Sequence, residues 1–552
     1  MIKTASFRSA TLIRLFMPLF ALVALALLGG CFQGNIESDA HTDVDRFTSS
    51  HCEAMARQSI AGGSVLGAEI VEQGKPLLGV VSRLFIRWFV PGFSGVDAPQ
   101  SFCRLTLTLS TSRRSSVMVE AWLPDQWNGK VLGIGGGGFN GGLGSTAPLA
   151  MVTPLTKGYL VFVTDAGHEK TNSAKFAFDN REQLIDFAYR ANQVAGKYSR
   201  SLASYYYGSP ADKAYFHGCS NGGRDALMLA QRAPDLYDGI IAGAPAADWS
   251  RLMTTFGWWR ELIFGQQGAP KIKKKLDLIH AAVLEKCDGM DGVQDELISN
   301  PLKCDFDPAV LECGAADKGG CLDKNEINIL KKIYRGPQLA SGTQVFPGLP
   351  PGGEGLENNW ELWVTRKNSP GILMSIESFR WMAYRNPDWS PEDFDIQDAL
   401  RIAEQELSPV MNANDPNLKD FFAHDGKLLL YHGWNDAAIP ATATIAYYKA
   451  VEDFVGTSIT RNSARLFLVP GMQHCFGGVG PTSFDLLSVM ENWDESGMIP
   501  EKVIAKEYEN PTLLPELTGH GNPVSTRPLC AWPSSSIFKG GDLRVAGSFE
   551  CQ

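Results

Sequence analysis

The feature that most constrains this chain is a six-residue turn, Gly218-Cys219-Ser220-Asn221-Gly222-Gly223, together with what stands on either side of it. Lys213 to His217 reads as a short strand running straight into Gly218, and Arg224 to Arg232 is a helix-forming run ended by Pro234. A strand that passes into a helix through G-x-S-x-G needs small residues around the serine, because the turn is tight and pushes the hydroxyl into the open. In a chain with 56 glycines, a match to the bare pattern arises by chance about as often as not. The strand–turn–helix setting is what makes it specific.

An exposed serine attacks only if a base takes its proton and an acid orients the base. Downstream, Leu428 to Tyr431 reads as a strand ending in His432-Gly433-Trp434-Asn435-Asp436, and Leu466 to Val469 as one ending in Pro470-Gly471-Met472-Gln473-His474. A lone histidine or aspartate in a loop is ordinarily just a loop residue. Two of them, in the order serine, acid, histidine and each following a strand, match the α/β-hydrolase arrangement, with the loops at the carboxyl edge of a parallel sheet. Ser220, Asp436 and His474 are therefore the expected triad. His432 is the rival base but precedes the acid, and His168 and His217 precede or abut the elbow. A developing oxyanion needs backbone donors after the nucleophile and on an earlier glycine loop. Asn221 is the first, and Gly136 or Gly137, in Gly135-Gly136-Gly137-Gly138-Phe139-Asn140-Gly141, is the second. That loop is a poor phosphate cradle, since no Lys-Ser/Thr follows it.

Further strands are expected at Arg104–Ser110, Ser116–Leu123, Val131–Ile134, Tyr159–Thr164, Lys427–Tyr431 and Arg465–Val469, with helical periodicity over Phe187–Leu202. Such alternation predicts a mostly parallel sheet with helices on both faces, the α/β-hydrolase fold. The rhythm breaks between about 250 and 420, where aromatics cluster (Phe256, Trp258, Trp259, Trp360, Trp363, Phe379, Trp381) with four cysteines and an Asp-rich loop. The expected organisation is a catalytic domain from 46–249 and 421–552, with 250–420 inserted as a large lid domain. No internal repeat interrupts it.

At the N-terminus Lys3, Arg8 and Arg14 precede an apolar run, Leu15 to Leu28, too short to span a bilayer comfortably. Residues 1–30 read as a signal peptide. Leu28-Gly29-Gly30-Cys31 looks like a bacterial lipobox, making Cys31 the acylated mature terminus, with 31–45 as a polar tether. Losing three cations and no anion takes the net charge from −10 to −13. That excludes nucleic acid and electrostatic adhesion to anionic lipid, leaving the N-terminal lipid as the membrane contact. Phe32 and Gln33 follow the cysteine, and the absence of aspartate there points to the outer membrane by resemblance to lipoprotein sorting. Ten cysteines remain, an even number in an exported chain, which reads as a disulfide framework of open connectivity. No CxxC metal spacing occurs.

These residues resemble the tannase and feruloyl esterase family. The resemblance rests on the cysteines flanking the nucleophile and base, Cys219-Ser220 and His474-Cys475, and extends over Glu120–Gly129, Asp165–His168, Gly239–Pro245, His432–Pro440 and Arg527–Cys530. It implies a Cys219–Cys475 bridge, with Cys52–Cys103, Cys287–Cys304, Cys313–Cys321 and Cys530–Cys551 also paired. It implies a structural Ca²⁺ in the lid, held by the side chains of Asp288, Asp291 and Asp295 and the carbonyls of Val293 and Leu297. By composition alone that segment would be a solvated Asp/Gly turn, and its spacing is not an EF-hand's. The implied activity is hydrolysis of small esters of aromatic acids (feruloyl, galloyl or terephthaloyl) through an acyl-enzyme, by a monomer. Arg380 and Arg385, beside lid aromatics, are candidate partners for a polar group on the ring, although either alone reads as a surface arginine. A serine peptidase of the same fold and a non-catalytic surface-binding lipoprotein are the rival readings.

Overall fold

In the central strands successive side chains enter two different apolar clusters, so the sheet they form is buried on both faces. In Lys213–Cys219 (β7), Ala214 and Phe216 enter one cluster and Tyr215 the other; in Lys427–Gly433 (β9), Leu428 and Leu430 enter the first and Leu429 and Tyr431 the second. This period of two on both faces makes parallel strands read as nearly continuous apolar runs. Ala464–Val469 (β10) repeats it, and each buried Leu, Phe or Val there contributes about 1.5–3 kcal/mol relative to exposure.

The computed structural model describes residues 50–552 apart from 61, 78–94, 140, 142, 144–146, 170–172, 266–268, 315–319 and 510–521. The expected signal segment, Cys31, the tether and Asn140 lie outside the described residues. The described residues belong to one compact unit.

Among the described residues ten strands make one sheet. Ser59–Ile60 (β1), Gly63–Val71 (β2), Phe102–Ser112 (β3) and Ser115–Pro124 (β4) form an antiparallel wing, and β4 pairs antiparallel with Leu160–Thr164 (β6). From β6 onward the order is Lys130–Ile134 (β5), β7, Gly239–Gly243 (β8), β9 and β10, all parallel. Helices Ala191–Tyr207, Asn221–Arg232 and Ala441–Val455 cover one face; Ala147–Thr156 and Leu486–Ser496 cover the other. The architecture is the α/β-hydrolase fold, with β7 near the middle of its parallel part.

Between β8 and β9 the described residues add helices and no strand of this sheet. Their core takes in Phe256, Trp259, Trp360 and Phe379, together with Phe139, Phe187 and Ala437–Ile439 from segments beside the sheet. The helix Trp249–Phe264 begins one residue before the expected boundary at 250, capped by Asp248, which accepts from Arg251 N–H at 3.2 Å. The helix Lys324–Arg335 starts with a capping box between Asp323 and Glu326 and buries Ile327, Leu330 and Ile333. Five disulfides join Cys52–Cys103, Cys219–Cys475, Cys287–Cys304, Cys313–Cys321 and Cys530–Cys551. Such a framework belongs to a chain that matures outside the reducing cytosol.

Candidate active site

The elbow follows from close approach. A Cβ at Gly218 would meet the Gly222 carbonyl oxygen at 2.3 Å, and one at Gly222 would meet the Gly136 carbonyl oxygen at 2.6 Å. With both glycines in place β7 turns directly into Asn221–Arg232, and Ser220 adopts φ 63°, ψ −122°, a conformation few side-chain-bearing residues accept. Its Oγ lies 2.9 Å from Nε2 of His474, whose Nδ1 lies 2.7 Å from Oδ2 of Asp436. Hydroxyl, imidazole and carboxylate thus form one continuous hydrogen-bonded chain, brought together from the ends of β7, β9 and β10.

Asp436 is buried and well held. Its Oδ1 accepts from the backbone N–H groups of Ala438 at 2.8 Å and Ile439 at 2.9 Å. Its Oδ2 also faces Nε2 of His432 at 3.1 Å. Burial opposes ionisation, but the charges and hydrogen bonds of His474 and His432 hold the carboxyl well below the usual carboxylate range. His432, the rival base, lies inside β9 with no exposure, its Nδ1 at 2.8 Å from Thr444 Oγ1. It reaches the acid rather than the serine. Sequence reading cut the strand at Tyr431; extending its alternation by one residue would have placed His432 indoors.

The Cys219–Cys475 bridge joins the residue before Ser220 to the residue after His474, with Cα atoms 5.9 Å apart. Chain entropy for a loop of 256 residues would give it roughly 5 kcal/mol as a ceiling. The acid and base loops are also tied directly: Asn435 N–H donates to the Met472 carbonyl, and Gly471 N–H donates to Asn435 Oδ1. The inserted segment grips both loops. Asn359 Nδ2 donates to the Asn435 carbonyl at 2.8 Å, Gln473 Nε2 donates to the Glu357 carbonyl at 2.9 Å, and the Trp363 ring meets the His474 ring at 5.3 Å, edge-on. Trp363 was one aromatic among several in the sequence; the fold singles it out.

The two glycines expected as second oxyanion donors differ in their surroundings. The Gly136 backbone N–H lies beside the Asp225 carboxylate, which burial pushes up to about 6 although Arg224 is next to it. Gly137 has open space where its Cβ would be. Asn221 opens the helix, where the first N–H groups have no partner within it. Arg385 pairs at the surface with Glu406 at 2.9 Å, and Arg380 Nε donates to the Trp389 carbonyl at 3.1 Å, so both arginines have structural partners away from the triad.

In the Asp-rich loop, Asp288 and Asp291 are buried. Asp288 accepts from the N–H groups of Asp295 and Glu296, Asp291 from Val293 N–H and the Ser299 hydroxyl, and Asp295 from Leu297 N–H and Arg527. No three His, Cys, Asp or Glu side chains among the described residues gather into a metal-sized group. The donor chemistry nevertheless fits a hard cation. Asp291 and Asp295 share one buried guanidinium, Arg527, with Asp288 a third carboxylate in the same loop, and burial followed by the neighbouring Asp295 charge raises the Asp291 pKa. Such a surplus of buried negative charge is what a divalent ion balances.

Residues 103–552 match the tannase and feruloyl esterase family along their whole length. The chain belongs to that family. A probable feruloyl esterase B-2 of Aspergillus flavus is 33% identical over 439 residues, 74% of this chain and 81% of the relative. The mono(2-hydroxyethyl) terephthalate hydrolase of Piscinibacter sakaiensis is 30% identical over 498 residues, 78% of this chain and 80% of the relative. The crystal structure of feruloyl esterase B from Aspergillus oryzae superposes with a TM-score of 0.81 at 25% identity, covering 92% of this chain and all of that one. This member of the tannase and feruloyl esterase family is a carboxylic ester hydrolase.

Proposed function

We propose that the chain is a serine esterase for small esters of planar aromatic acids, exported and anchored by lipid on Cys31. The observation that carries the reading is the unbroken chain Ser220 Oγ–His474–Asp436, at 2.9 and 2.7 Å. Ser220 Oγ attacks the ester carbonyl as His474 Nε2 takes its proton. The tetrahedral oxyanion is received by the N–H groups of Asn221 and Gly137. His474 returns the proton to the departing alkoxide, leaving the acyl group on Ser220. A water then repeats the sequence: His474 takes its proton, the acyl–oxygen bond to Ser220 breaks, and the free acid leaves. Asp436 remains ionised and fixes the imidazole tautomer.

The aromatic-acid preference rests on the relatives' named activities and on Trp363, whose ring beside His474 offers a stacking surface worth about 0.5–1.5 kcal/mol beyond burial. Ca²⁺ would be held by Asp288, Asp291 and Asp295 with the carbonyls of Val293 and Leu297. It would supply structural charge balance and take no part in the chemistry. A comparison of kcat/KM for methyl gallate, methyl ferulate, mono(2-hydroxyethyl) terephthalate and p-nitrophenyl esters of increasing chain length tests the substrate class. The aromatic acids are expected to lead; octanoate or longer leading every one of them would defeat it. Fractionation of the protein with membranes, lost in Cys31→Ala, is the expected signature of the anchor; soluble wild-type protein with unmodified Cys31 would refute it.

A further inference from the structure

Directly behind the nucleophile sits an ion pair that the hydrolytic steps do not use. Arg224 and Asp225, in the first turn of the elbow helix, have 0% and 3% exposure. The pair's polar bonds run both to the start of the elbow helix and to a neighbouring helical turn. Arg224 Nε donates to Asn221 Oδ1 at 2.7 Å, and its Nη2 donates to Asp225 Oδ1 at 2.7 Å. Its two Nη groups also donate to the carbonyls of Ala188 at 2.6 Å and Phe187 at 3.1 Å. Those carbonyls lie in a π-helical turn, Asp186–Arg190, where the ordinary helical pairing is interrupted. The Gly136 backbone N–H and the Asn192 side chain lie beside Asp225 and favour its ionised form. The rings of Phe187 and Trp249 flank the guanidinium at 5.3 and 5.7 Å, and Phe139, at the far end of the glycine loop, packs on both of those rings.

We propose that Arg224 and Asp225 are positioning residues for ester hydrolysis: one buried guanidinium–carboxylate pair that fixes the Asn221 donor and the Gly137 donor at their working separation. The argument rests on the reading of Asn221 and Gly137 as oxyanion donors. The glycine loop is tied at Gly136 by Asp225 and at Phe139 by the rings around Arg224, leaving Gly137 and Gly138 as the span between. On the helix side, Asn221 is held through its own side chain by the same guanidinium. One planar fork with donors in fixed directions can hold both halves at once; a lysine, with a single ammonium, cannot. A buried ion pair contributes little net stability compared with apolar residues of the same volume, so its place beneath the oxyanion site is better explained by geometry than by stabilisation.

The test compares hydrolysis of methyl ferulate with that of its thiono analogue, in which sulfur replaces the carbonyl oxygen. Sulfur is larger and accepts hydrogen bonds more weakly, so a site relying on two fixed N–H donors strongly prefers the oxo ester, by roughly the 10²–10³-fold that one such donor is worth. In Arg224→Lys and Asp225→Asn, kcat for the oxo ester should fall by about 10–100-fold with KM little changed, and the oxo-to-thiono ratio should collapse. Asn221→Ala, which keeps both buried charges paired and keeps the backbone donor, should show the same collapse in smaller measure. It decides the matter if the charge variants do not fold. Variants that melt like wild type and lose oxo and thiono activity equally, or lose only KM, would overturn the proposal. A wild type with no oxo preference would overturn the donor reading beneath it, a separate and visible failure.

Discussion

Two buried aspartates in this molecule behave in opposite ways. Asp436 has two backbone N–H donors on one oxygen and two imidazoles on the other, and its carboxyl is held well below the ordinary range. Asp291 sits in a loop with Asp288 and Asp295, faces a single guanidinium, and has its pKa raised, by burial first and by Asp295 next. The first is a charge the protein has fully prepared for from its own groups. The second belongs to a loop that gathers more negative charge than the chain neutralises. Catalytic geometry should therefore persist without any added ion, whereas the loop should depend on one.

The largest expected effect is at the base. His474→Ala should lower kcat by about 10⁴–10⁶-fold, the scale for removal of one member of a serine–histidine unit. His432→Ala should lower it only about 10–100-fold, by loosening Asp436. A dead His432 variant beside an active His474 variant would invert the triad. Next comes the bridge between the two loops: Cys219→Ser with Cys475→Ser should cost about 2–5 kcal/mol of unfolding free energy as well as activity. Mass mapping of the unreduced active protein checks the premise, since a free Cys219 thiol would remove it.

The Asp-rich loop should respond differently. Chelation should lower the melting temperature, by the equivalent of about 3 kcal/mol for an ion held at a hundred times its Kd, and leave the rate of still-folded enzyme nearly unchanged. Asp291→Ala should mimic it. Protein purified without calcium and indifferent to EDTA would end the distinction between the two sites. The smallest effect is in acid. Because its folded pKa is depressed, Asp436 contributes stability that is complete above its unfolded value of about 4 and lost as pH falls through the folded one. Asp436→Asn has no such titration. The gap in unfolding free energy between it and wild type should be greatest near neutrality and shrink below about pH 4; a gap that widens in acid contradicts the assignment.

The same contrast explains what was legible in the sequence. The elbow and triad were readable because each element is local: Gly218 and Gly222 are demanded by one turn, and Asp436 and His474 each follow a strand whose alternation ends just before them. Strands β2 and β8 were not readable as such. β2 is half exposed and glycine-broken, with the pattern Gly63-Ser64-Val65-Leu66-Gly67, and β8 is Gly239-Ile240-Ile241-Ala242-Gly243, five residues without a period. The contacts of His432, Trp363 and Arg224 were not legible, for a shared reason. Each makes contacts, to Asp436, His474 and the Ala188 carbonyl respectively, that only the fold brings near. Arg224 read as one more good helix former, yet a charged pair immediately after an elbow must lie under the nucleophile, and that position was a usable signal.

The most direct measurement is capture of the acyl group itself. Wild-type enzyme mixed with methyl ferulate, acid-quenched within the first turnover and digested should yield the peptide containing Ser220 with a feruloyl group added. Ser220→Ala should yield none and show no turnover while melting as wild type does. A feruloyl group on any other residue, or full activity in Ser220→Ala, would contradict the account.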